Sequence, residues 1–194
     1  IKVQEDQVSK AKWQGILRDA GTEFKIEPKE KGPLLVWRTP SSRLDYLLTF
    51  DSAEGIPGLD YSVADVFDTR TWEQVAQWRG YAAPDKFGDI CYGLGQLYGW
   101  AVIAGEINYP GNAVMLHLQG RTYPNLWVDP SGLAQDREGG RPVPGFRTTS
   151  RSKSLMISDL RAALRDLDIR LNSKYTLSEL KTFCVKDDGA MEAQ

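Results

Sequence analysis

The chain has 194 residues, enough for one domain with a substantial core and marginal for two. Its 24 basic and 26 acidic residues leave a formal charge of -2, so bulk charge excludes no partner class, and a polyanion would have to meet a local patch. Cys91 and Cys184 sit singly in apolar runs, which argues against a disulfide framework or a cysteine-rich zinc site and for a reducing compartment. No apolar run approaches the ~20 residues of a membrane span, and the opening IKVQEDQVSK lacks a signal-peptide shape, so a soluble protein is expected, with no membrane partner. The chain starts without methionine and ends on the polar KDDGAMEAQ, which reads as a piece cut from a longer protein.

In chain order, Val8, Trp13, Ile16 and Leu17 fall near helical spacing and stop at Gly21, predicting a short amphipathic lead-in helix. Residues 32–40, GPLLVWRTP, read as a peripheral strand bracketed by prolines. Together, residues 1–41 form a lead-in helix and peripheral strand ahead of the main unit, 42–194. Residues 42–51, SRLDYLLTFD, are the strongest strand, apolar on both faces as a central strand would be. Residues 61–71 and 72–80 are two further strand-like runs joined by DTRT, an antiparallel hairpin. After Pro84 the period changes. Phe87, Ile90, Cys91, Leu94, Leu97 and Tyr98 recur at three and four residues, the mark of an amphipathic helix packed on a sheet. Residues 100–108 form a short strand ending in Glu106, 111–120 a second helix and 125–130 a further strand. Glycine and proline then rise over 132–145, an exposed loop or hairpin. A helix follows with Leu155, Met156, Leu160, Leu164 and Leu167 on one face, and TLSELKTFCV opens with Thr176 and Glu179 in capping-box register. The order predicts an α/β fold: three antiparallel strands, then alternating helices and strands.

Two acids, Asp51 and Glu106, stand at the ends of separate apolar strands, each followed within a few residues by glycine. If the strands adjoin, both carboxylates emerge at one edge of the sheet, where open α/β sheets bind ligands. Carboxylates that close cannot both stay ionised without a counter-charge, and oxygen ligands with a single histidine, His117, in an apolar helix favour Mg²⁺ or Mn²⁺. Asp51 reads equally well as a cap on the following turn. Between residues 137 and 153 lie Arg137, Arg141, Arg147, Arg151 and Lys153 against the single acid Glu138, the best candidate patch for a phosphate backbone, with a solvated loop of scattered charges as the alternative. Few aromatics interleave with it, so sequence-tolerant backbone binding is expected.

The segments YLLTFDSAEGIPGLDYSVADVFDTRTWEQVAQWRG, PDKFGDICYGLGQLYGWAVIAGEINYPGNAVMLHL, YPNLWVD and GFRTTSRSKSLMISDLRAAL resemble the nuclease domain of tailed-phage large terminase subunits, the motor-nucleases that package viral DNA. The most specific matches are D-x-A-E-G followed by D-Y-S, the E-x-N-x-x-G strand end and the T-T-S-x-S-K helix opening, within a resemblance running from about residue 44 to 191. It implies a ribonuclease H-like fold and metal-dependent endonuclease action on double-stranded DNA through two ions about 3.5–4 Å apart. Under it, Asp51 and Glu106 are the metal-binding catalytic acids and Asp60 is an auxiliary acid. Asn108 and Gly111 shape the turn after Glu106, and Asn108, Arg141, Arg147, Arg151 and Lys153 face DNA. An ATPase domain, a small terminase and a portal protein are the implied partners, in the host cell cytoplasm during virus assembly. The family's third acidic element would fall just beyond residue 191. Asp187 and Asp188 are imperfect substitutes, because DDG is a turn signal.

Other motifs fail on context. GLGQLYG, residues 93–99, has glycines reminiscent of a dinucleotide loop but lies inside a helical segment, and no G-x-x-x-x-G-K-[ST] occurs. A nucleophile scheme lacks a histidine base beyond His117. Besides the nuclease, two readings stay open: a catalytically silent DNA- or portal-docking module of the same fold, and an actin-like or sugar-kinase-like nucleotide fold, which would need a second phosphate-binding hairpin that the sequence lacks.

Overall fold

A computed structural model describes residues 2–6, 8–21, 23–130, 143–185 and 191–193. Its elements are α1 (Lys2–Glu5), β1 (Trp13–Asp19), β2 (Phe24–Pro28), β3 (Leu34–Val36), β4 (Tyr46–Asp51), β5 (Ser62–Asp68), β6 (Glu73–Gly80), α2 (Pro84–Leu97), β7 (Val102–Gly105), α3 (Gly111–Gly120), α4 (Ser150–Asp166), α5 (Lys174–Thr182), β8 (Phe183–Val185) and β9 (Met191–Ala193). Seven strands form one mixed sheet in the order β2-β1-β3-β6-β5-β4-β7, and β8 and β9 pair separately. The expected centre is present: β4, β5 and β6 are a consecutive antiparallel meander, and β7 joins β4 in parallel.

The two-residue period of β4 decides what each sheet face does. Tyr46, Leu48 and Phe50 are buried on one face, while Leu47, Thr49 and Asp51 turn to the other. α2 covers the first face, with Phe87 6.0 Å from Phe50 and 5.5 Å from Trp78 between ring centres, and Tyr98 5.0 Å from Tyr46. Phe87, Cys91 and Leu94 from α2 and Val114, Met115 and Leu118 from α3 complete this core, each fully buried side chain contributing about 1.5–3 kcal/mol. Burial pushes the Cys91 thiol well above its ordinary range, as for an inert core residue. On the opposite face a smaller cluster of Phe67, Leu164, Leu171 and Leu177 seats α4 and α5 against β5.

The lead-in segment departs from expectation. Residues 13–19 are the strand β1, and residues 24–28 form β2, which the sequence reading missed. Together with β3 they extend the main sheet by three strands rather than preceding it. The physical reason lies at Gly15: a Cβ there would meet the Glu27 carbonyl oxygen at 2.2 Å, a backbone approach between paired strands that only glycine permits. Near-helical apolar spacing lost to the hydrogen bonds offered by a neighbouring strand. β3 is likewise interior, paired on both sides, with Leu34 and Val36 fully buried. Residues 125–128 add only isolated bridges, Ile103 with Leu126 and Val128 with residues 144 and 145.

Two helix expectations also change. α4 forms with Thr149 as its N-cap in a capping box with Ser152, but of its apolar stripe only Leu164 is buried, while Leu155 and Met156 are exposed. α5 begins before Thr176, with the Thr176 N–H donating to the Ser173 hydroxyl, because Ser173 is held in place by Gln74 and Gln77. Of the 132–145 loop, residues up to 142 lie outside the described residues, as do Asp187 and Asp188.

Candidate metal and nucleic-acid site

The site is built by strand register. Phe50 pairs with Gly105, so Asp51 and Glu106 are the next residues on adjoining parallel strands, about 4.8 Å apart in the hydrogen-bonding direction and on one sheet face. Asp51 stands at the mouth of a recess of about 420 Å³ that Ser52, Asp60, Tyr61 and Tyr109 also line. The residue keeps access to solvent, yet the recess walls displace enough water to push its carboxyl above the usual carboxylate range. The charge of Glu106 adds to this, with smaller pushes from Asp60 and Glu179 and an opposing hydrogen bond from the Ser52 backbone. Four carboxylates thus lie within electrostatic reach.

A tight turn fixes Glu106. Gly111 opens α3 so close to it that a Cβ would meet the Glu106 carbonyl oxygen at 1.9 Å, and the Gly111 N–H donates to the Asn108 carbonyl at 2.7 Å. The Asn108 Nδ2 group donates to Glu106 Oε1 at 2.8 Å and to the Thr148 carbonyl at 2.9 Å. Both amide hydrogens are donated to protein acceptors, so Asn108 orients Glu106 and anchors the segment before α4. That segment runs beside β7, where Phe146 bridges Glu106 in parallel and its carbonyl accepts from the Ile107 N–H at 2.9 Å. It carries exposed Arg147 and leads directly to Arg151 and Lys153 at the start of α4. Arg141 and Arg137 lie outside the described residues.

The donor set consists of oxygens: two carboxylates, Asp60 in the same recess, and the buried Ser52 hydroxyl, which has no hydrogen-bond partner among the described residues. Oxygens of this kind are the donors a hard divalent cation takes. No group of three or more His, Cys, Asp or Glu among the described residues is arranged to hold a metal. His117 lies elsewhere, its Nε2 2.8 Å from Asp89 Oδ1, which also accepts from Arg121 at 2.7 Å. Nor is any described helix long and apolar enough to cross a membrane.

Sequence reasoning missed Arg79, Tyr81 and Glu179. The Arg79 guanidinium lies 3.6 Å above the Tyr61 ring and 3.1 Å from Glu179, and Tyr61 stacks on Tyr81 at 4.4 Å. The signal was present in the register: Asp51 pairs with Val63 and Val63 with Arg79, so the period of two places Arg79 on the face of Asp51.

No protein-family model matches the sequence, and comparison with curated proteins finds no match. By structure, the chain has the ribonuclease H-like fold of phage large-terminase nuclease domains. The large terminase nuclease of thermophilic phage G20c with bound magnesium superposes with a TM-score of 0.65 and 20% identity, over 86% of this chain and 80% of that one. The form of that nuclease with bound zinc gives 0.61 and 20% over 84% and 82%. The nuclease domain of the large terminase of Thermus phage P74-26 gives 0.63 and 18% identity over 97% and 82%.

Proposed function

We propose that this chain is the nuclease domain of a tailed-phage large terminase, a metal-dependent endonuclease that hydrolyses phosphodiester bonds of double-stranded viral DNA during packaging. The observation that carries the reading is the pairing of Asp51 and Glu106 on adjoining strands, where burial and the charge of Glu106 both push the Asp51 carboxyl above the usual range. The fold shared with terminase nucleases, solved with magnesium, cobalt or zinc, supports it.

In this reading Asp51 and Glu106 hold Mg²⁺ or Mn²⁺, with Asp60 as an auxiliary acid. A bound ion would lower the pKa of a water and offset charge developing on the phosphoryl oxygens. Asn108 keeps Glu106 in one orientation, and Arg147, Arg151 and Lys153 draw the backbone toward the acids by charge. The second ion of a two-metal scheme would draw on a further acid. The ATPase domain, small terminase and portal partners, and the host cytoplasm as location, belong to the same proposal.

The test is nicking of supercoiled plasmid with Mn²⁺ by the intact chain and by Asp51→Asn. Loss of ion binding forfeits several kcal/mol of charge stabilisation, so at least a ~10³-fold drop is expected with the fold retained. Equal nicking by both proteins removes Asp51 from the chemistry. A wild-type chain that binds duplex and never nicks favours the silent docking module.

A further inference from the structure

A second cavity, of about 600 Å³, opens on the sheet face that carries the acids and is lined by Lys10, Lys12, Lys174, Trp37, Asn172 and Tyr175 among others. Among the described residues no carboxylate lines it. Among the described residues the lysine ion pairs are those of Lys25, Lys86 and Lys181, so the three lysines of the cavity bring uncompensated charge. Its walls are pinned. The Trp37 indole N–H donates to the Ser9 carbonyl at 3.0 Å, the Ser9 hydroxyl to Asn172 Oδ1 at 3.0 Å, and Asn172 Nδ2 to the Gln74 carbonyl at 2.7 Å. The segment bearing Lys10 and Lys12 is therefore tied to the sheet and to the start of α5, where Lys174 occupies the first helical position.

A row of side chains spans from the cavity to the acidic recess. Tyr175 forms one wall, the Arg79 guanidinium lies 5.1 Å from its ring and 3.6 Å from that of Tyr61, and Tyr61 lines the recess of Asp51. Leu35, in the cavity wall, pairs with Gln77, which pairs with Asp65, which pairs with Thr49 of β4. Four strand spacings from β1 to β4 amount to roughly 19 Å across the sheet, and Lys12 falls in the row of Leu47, an offset of about 13 Å along the strand from Asp51, so the separation is roughly 23 Å, about two-thirds of a turn of B-form duplex. Arg147, Arg151 and Lys153 flank the acids on the β7 side, so cations stand on both sides of the carboxylates.

We propose that the Lys10, Lys12 and Lys174 cavity is a phosphate-backbone site that grips duplex DNA about two-thirds of a turn from the strand-end acids. The proposal rests on the nuclease reading only for where cleavage falls; the gripping itself does not depend on it. Three ammonium groups on flexible stems recognise phosphate as point charges without reading bases, and the cationic and aromatic path to the recess favours a long polyanion over a free one.

The experiment measures binding of a duplex of about 30 base pairs, roughly three turns, in EDTA by fluorescence anisotropy, for the intact chain and for the triple variant Lys10→Ala, Lys12→Ala, Lys174→Ala. Salt is varied from about 50 to 200 mM, over which each phosphate contact contributes a slope near 0.9 in log K against log salt. The expected result is a slope smaller by about 2 to 3 and affinity about 10- to 100-fold weaker mid-range, with an unchanged circular dichroism spectrum. A Lys→Arg triple variant should restore the slope. An unchanged slope in the alanine variant overturns the proposal. So does binding of inorganic phosphate that the alanine variant loses while its duplex slope stays intact, because the cavity would then serve a free anion. Lysine-dependent binding by a chain that never nicks sustains the grip and overturns the nuclease reading; nicking with an unchanged slope does the reverse.

Discussion

The two faces of the central sheet are packed by different chemistry. Toward α2 the contacts are apolar: Phe50, Trp78, Ala64 and Ile103 meet Phe87, Cys91 and Leu94. Toward α5 a polar network joins the small cluster of Phe67, Leu171 and Leu177. Gln74 and Gln77 both donate to Asp65 Oδ1, at 2.6 and 2.9 Å, and Gln77 also donates to the Thr176 hydroxyl and accepts from that of Ser173. The first face supplies stability in proportion to area removed from water. The second supplies orientation, because each buried amide accepts only one arrangement of partners. The acids, Arg79 and the lysine cavity all lie on the second face, as expected where ligands must be met by charge.

The comparison breaks if the apolar face matters little, so the largest expected effect is there. Phe87→Ala should cost about 4 kcal/mol, seen as a Tm fall of roughly 8–16 °C, with nicking per folded molecule unchanged. On the polar face, Gln77→Leu leaves the Ser173 hydroxyl without its acceptor and should cost about 2 kcal/mol in urea unfolding. A neutral outcome would show that the network does not hold α5. Asn108→Ala tests orientation separately from stability. Nicking should drop about 10- to 100-fold through loss of metal affinity, with part of it regained at high Mn²⁺, and Tm should move little.

The smallest effect sharpens the contrast by pH. Burial, outweighing the hydrogen bonds from Gln74 and Gln77, pushes the Asp65 carboxyl up to about 6. The folded chain therefore holds a proton that the unfolded chain has released by about pH 4. This contribution to stability is full below about pH 4 and is lost as pH rises through about 6. Asp65→Asn keeps an acceptor and removes the titration, so Tm should become flatter from pH 4 to 7. Near pH 7.5 it should rise by about 2–4 °C, the equivalent of ~1 kcal/mol in a domain of this size. A persistent slope in the variant would place the titrating group elsewhere.

Much of this was legible along the chain. The strands 46–51, 62–68 and 73–80 and the helix 84–97 follow from period and punctuation, and the strand-end positions of Asp51 and Glu106 are local facts. Other features were not. The stretch 13–19 satisfied a helical spacing, and only a partner strand whose paired residues lie 5 to 13 positions downstream made it extended, because a strand's hydrogen bonds come from a neighbour that local pattern does not reveal. Glu179 looked like a cap because a capping box and an acid facing Arg79 share one residue type.

What the amino-acid order determined by itself was which residues alternate, which recur at helical spacing, and where acids and glycines interrupt them, since these depend on neighbours within a turn or a strand. The folded sheet alone decided that residues 55 positions apart share an edge, that Asn108 spends its donors on Glu106 and Thr148, and that lysines from the first and last parts of the chain line one cavity. Those outcomes depend on strand order and register, set by the cooperative burial of the whole core.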